Sequence, residues 1–140
     1  MAFATAKKLL WGCSLLVLLA GIGHLWMPGT IQEFFLFAFG KYYIINNLHL
    51  TIFLCFLNLV LGSGYFLFSR QTVYTHNTLT AVHVVLTLLC SVAIWAMGFI
   101  LNKGLFSDRV LPSQALLITL GILITAQVLY FINLIRGLSR

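Results

Sequence analysis

The chain has 140 residues, 61% of them apolar and 7% charged, with a net charge of +6. So few polar side chains cannot cover a soluble domain of this size, and a chain with two carboxylates, Glu33 and Asp108, is poorly equipped for hard-metal binding or paired-acid catalysis. The composition therefore predicts a membrane protein, and stretches such as VLTLLCSVAIWAMGFIL lack the alternation of barrel strands, so the spans are helices.

Four apolar runs, 8–27, 43–68, 78–101 and 112–135, each reach the ~20 residues needed to cross a hydrocarbon core of ~30 Å. The first follows Lys7 and Lys8 in the manner of an export signal. It is read as a retained span, because it is long for a signal core and shows no small-x-small cleavage site before Pro28. Its last residues, His24-Leu25-Trp26, place a tryptophan where an interface is expected. Cys13, Val17, Ala20 and His24 share one face, with Ser14 and Gly21 beside it.

Between the first two spans lies IQEFFLFAFGKYY, 31–43, in which Phe34, Phe35, Phe37, Phe39, Tyr42 and Tyr43 gather beside Glu33 and Lys41. The expectation is an aromatic segment at headgroup level, and the functional alternative is a docking surface for a partner subunit or a lipophilic ligand.

On a helical wheel the second span sets Asn47, Thr51, Asn58, Gly62, Tyr65 and Ser69 within a sector of about 60°. Lipid offers no hydrogen bonds, so this stripe is expected to pack on other helices. His49 lies on the opposite side with Phe53, Phe56, Val60 and Leu67, and Asn46 projects to the flank. The third span repeats the pattern with His76, Thr80, His83, Thr87, Ser91 and Gly98, and Cys90 at the margin. An ionisable residue facing the bundle interior, as His83 does here, is a functional candidate; the alternative is a neutral histidine bonded to a neighbouring hydroxyl or carbonyl. In the fourth span Gln114, Gly121 and Thr125 mark the expected packing face. With one packing face per span and short connections, the chain reads as a single all-α domain over 1–140, an integral-membrane antiparallel four-helix bundle.

Lys7, Lys8, Arg70, Arg136 and Arg140 fall on one side of such a bundle and Lys41, Lys103 and Arg109 on the other, which predicts cytoplasmic termini. Flanking basic residues meet anionic headgroups, so the positive charge gives no reason to expect a nucleic-acid partner.

His24, His49 and His83 are the candidate ligands for a haem, yet an axial pair must share a depth and face inward, and only His24 and His49 share a leaflet. Cys-x-x-Cys is absent, and Cys13, Cys55 and Cys90 read as small buried apolar residues. No spacing of nucleophile and base stands out.

Two stretches carry resemblances. Across 19–70, AGIGHLWMP followed by a span ending NLVLGSGYFLFSR resembles the DoxX-like group of small four-helix membrane proteins. Across 48–68, LHLTIFLCF followed by GSGYFLF is similar to the second helix of haem–copper oxidase main subunits, which implies a haem-ligand role for His49. Both resemblances imply association with membrane redox complexes.

The expected function is a non-catalytic membrane subunit or accessory protein of a larger membrane complex, with the bilayer and other membrane subunits as partners and no cofactor of its own. The alternatives are a haem b or quinone-associated electron-transfer protein, and a homo-oligomeric channel or carrier.

Overall fold

The computed structural model describes residues 3–26, 33–70, 77–102 and 110–138. Four helices, α1 (Phe3–Leu25), α2 (Asn47–Arg70), α3 (Asn77–Asn102) and α4 (Val110–Leu138), form an all-α bundle, and a hairpin of β1 (Glu33–Ala38) and β2 (Lys41–Asn46) joins α1 to α2. Each helix contains a stretch long and apolar enough to cross a membrane. The protein is a multi-pass membrane bundle.

The second helix begins later than the apolar run suggests, because residues 43–46 belong to β2. Asn46 sets the boundary: its side-chain Oδ1 accepts the Leu48 N–H at 2.8 Å, the bond of an N-cap residue to the second helical position. Upstream, Tyr42-Tyr43-Ile44-Ile45 are aromatic and β-branched residues that favour an extended chain.

The interfacial segment anticipated over 31–43 is thus a regular antiparallel hairpin, running from the pair Glu33 and Asn46 to the pair Ala38 and Lys41. A two-residue turn, Phe39-Gly40, closes it with φ of 53° and 73°. Both residues occupy the left-handed region that a type I′ turn demands, where Asn and Gly are at ease and phenylalanine is strained. The strands pack on the bundle through Leu36 and Ile45, and the Phe37 N–H donates to Ser113 Oγ at 3.2 Å, tying β1 to the start of α4.

α1 packs along α2, and α3 along α4, with α3 also touching the first pair. Two apolar clusters fill the interior. One, near the hairpin, includes Val17, Leu54, Cys90, Ile94 and Leu116; the other, near the chain ends, includes Leu10, Leu61, Tyr65, Val84 and Tyr130. α2 and α4 do not pack along each other, and they approach where the Tyr130 hydroxyl lies against Gly64. The backbone of α2 stays open to neighbours at Gly62 as well, where a Cβ would stand 2.5 Å from the Trp11 ring.

Candidate functional site

The buried faces of α2, α3 and α4 meet in a polar network centred on His83, which is fully buried. Tyr65 Oη lies 2.8 Å from His83 Nδ1, and His83 Nε2 lies 3.2 Å from Thr87 Oγ1 and 3.3 Å from Gln127 Oε1. The Gln127 amide nitrogen donates to the Leu123 carbonyl at 3.2 Å and to Thr87 Oγ1 at 3.4 Å, so its oxygen is the acceptor that faces the imidazole. One assignment satisfies both ring nitrogens: the neutral ring donates from Nε2 to Gln127, and Tyr65 donates its O–H to Nδ1. Tyr65 is also bonded to Thr80, whose Oγ1 accepts from Asn133 Nδ2 at 3.0 Å. The Tyr130 ring completes the site, with its centroid 5.0 Å from that of His83 and 5.2 Å from that of Tyr65.

A second polar group lies nearer the hairpin. Asn58, fully buried, donates to the Leu54 carbonyl at 2.8 Å and to Ser91 Oγ at 3.1 Å, while its Oδ1 and the Trp11 Nε1 have no hydrogen-bond partner among the described residues. Ser14 Oγ donates to the Cys55 carbonyl at 3.0 Å.

The structure therefore places Thr51, Asn58, Gly62 and Tyr65 of α2, and Thr80, His83, Thr87, Ser91 and Gly98 of α3, inside the bundle, with Asn47 half-buried at the start of α2. His49 is exposed, and Phe53, Phe56, Val60 and Leu67 are exposed along the same side of α2. His24 lies on α1 with its side chain outside the described residues, as do the side chain of Ser69 and the whole of His76 and Asp108. Glu33 is exposed at the start of β1.

The fourth helix corrects the sequence reading. Gln114, Gly121 and Thr125 face outward, and the buried face carries Ser113, Leu116, Leu123, Ala126, Tyr130 and Asn133, about half a turn away. Ser113 is held by the hairpin and Asn133 by Thr80, and Gln127, half-buried, reaches His83. These partners come from other elements, so their pull on α4 is absent from its own sequence. The spacing Gln127, Tyr130, Asn133 is nevertheless a helical stripe, and it is the signal that could have located this face.

Both His83 ring nitrogens are engaged inside the bundle, and His49 points away from it, so these two residues do not form an axial pair for haem. Among the described residues, no three of His, Cys, Asp and Glu gather as metal ligands would. Chemically, the network can position α2, α3 and α4 against one another and hold a neutral imidazole in one tautomer. Compared with protein-family models, with curated proteins and with solved structures, the chain matches none.

Proposed function

We propose that the protein is a non-catalytic subunit or accessory protein that packs within a larger membrane assembly. The observation that carries this reading is Phe39. It sits at the hairpin tip, 93% exposed, in a backbone conformation that asparagine or glycine would adopt at lower cost. Within the chain its ring repays little of that strain, so its contribution comes from what it touches outside. Tyr42, Tyr43 and Ile44 of β2 are exposed as well, and His49 and Phe53 follow on α2. Together they offer an aromatic surface suited to other membrane subunits. The polar interior, by contrast, is largely occupied with its own hydrogen bonds. The redox complexes to which both sequence resemblances point are the class of assembly to test first.

The test places a photoreactive benzoylphenylalanine at Phe39 or Phe53 in native membranes, with Val92, exposed on α3, as control. One discrete adduct with another membrane protein, formed from both positions and not from Val92, is the expected result. Adducts with lipid alone, together with a chain that migrates as a monomer from mild detergent, overturn the proposal. A Soret band that shifts on dithionite reduction transfers support to the haem reading.

A further inference from the structure

Between α2 and α4 a cleft of about 700 Å³ opens to the membrane, walled by Phe56, Val60, Leu67, Phe131 and Leu134. Its size falls in the ~300–1,000 Å³ range of small-molecule sites, which are typically apolar with a few placed polar groups. The buried polar group here is Tyr130, beside the exposed Ser63. Its side chain is only 6% exposed, lines the cleft beside Gly64, and makes no hydrogen bond among the described residues. A buried tyrosine hydroxyl ordinarily finds a partner. Tyr130 is not free to turn toward one, because its ring is wedged against Tyr65 at 5.2 Å and 74° and against His83 at 5.0 Å and 32°.

We infer that this cleft binds a neutral long-chain lipid whose carbonyl oxygen accepts the Tyr130 O–H and whose apolar tail lies along Phe56 and Val60. Depth selects the class of ligand. Tyr130 precedes Arg136, the last residue of the apolar span of α4, by six residues, which sets it about 9 Å along the helix into the apolar zone. Charged headgroups stay at the interface, and water is excluded from this depth, so the acceptor must belong to an uncharged molecule that dissolves in the hydrocarbon. Wall shape selects against a protein helix. Helices that dock in membranes meet through small residues, and this wall is mostly phenylalanine, leucine and valine, with Ser63, Gly64 and Tyr130 the exceptions.

The experiment reconstitutes the purified full chain in nanodiscs and titrates it with 2-heptadecanone labelled with ¹³C at the carbonyl, read by infrared spectroscopy and native mass spectrometry. Saturable binding of one ketone per chain with a downshifted carbonyl band is the expected result. Tyr130→Phe should remove the downshift and weaken binding about five-fold, the worth of one neutral hydrogen bond. Val60→Trp, at a position facing the cleft and half exposed, should block binding while leaving thermal stability within the wild-type range. Absence of saturable binding overturns the inference. So does a downshift that persists in Tyr130→Phe, or a phospholipid that the ketone does not displace.

Discussion

Replacing His83 by leucine tests whether the polar network acts as a unit. The substitution removes the bonds to Tyr65, Thr87 and Gln127, along with the ring contact to Tyr130. Tyr65 retains Thr80 as a partner, and the Gln127 amide nitrogen retains the Leu123 carbonyl. What is left is one acceptor on a half-buried side chain, Gln127 Oε1, which among the described residues is bonded to the imidazole alone. An orphaned buried group costs ~1–3 kcal/mol, and interhelical polar contacts in membranes reach at most about 2 kcal/mol, so the loss should be about 1.5–2 kcal/mol. Adding Gln127→Leu to His83→Leu removes the orphan. The double variant should therefore be more stable than the sum of the singles predicts, with a coupling of about 1 kcal/mol. Asn58→Leu is the comparison. Among the described residues Asn58 Oδ1 already lacks a partner, and a single interhelical bond to Ser91 is lost, so about 0.6 kcal/mol is expected. Steric-trapping or detergent-denaturation equilibria followed by helicity measure all four variants. Additivity of His83→Leu and Gln127→Leu within about 0.3 kcal/mol would refute the network argument.

Gly64→Ala pushes a methyl group into the Tyr130 hydroxyl and should cost ~1–3 kcal/mol by overpacking, with part of the loss recovered in Gly64→Ala/Tyr130→Phe. Gly12→Ala, where a Cβ meets nothing within 4 Å, should instead be neutral or stabilise α1 by up to about 1 kcal/mol; thermal unfolding of both in one detergent makes the contrast. Asn46→Ala removes the cap of α2 and should cost about 1 kcal/mol, and hydrogen exchange at the Leu48 amide should accelerate. Phe39→Asn relieves the left-handed strain at the turn and should stabilise the isolated protein by up to about 1 kcal/mol while diminishing the crosslinks that Phe53 makes to a partner. No change in either readout would remove Phe39 from the proposed docking surface.

The class of the protein, the existence of its four spans and the inward faces of α2 and α3 were all legible from composition and period. A lipid solvent forces each span to satisfy its backbone as a helix, and it forces Asn58, Tyr65, His83 and Thr87 to seek partners within the bundle. The hairpin was legible in principle, as two runs of six residues around Phe39-Gly40. Its turn carries phenylalanine where asparagine is the usual signal, and its aromatic content fits a membrane interface equally well. The rotation of α4 was not legible. Gln114, Gly121 and Thr125 repeat with helical period just as Ser113, Tyr130 and Asn133 do, and both faces carry small and polar residues. Only packing chose between them, because Ser113 gained the Phe37 amide, Asn133 gained Thr80, and Gln127 gained His83. A helix's own sequence states which faces it has, and which one is buried depends on the donors and acceptors that neighbouring elements bring to it.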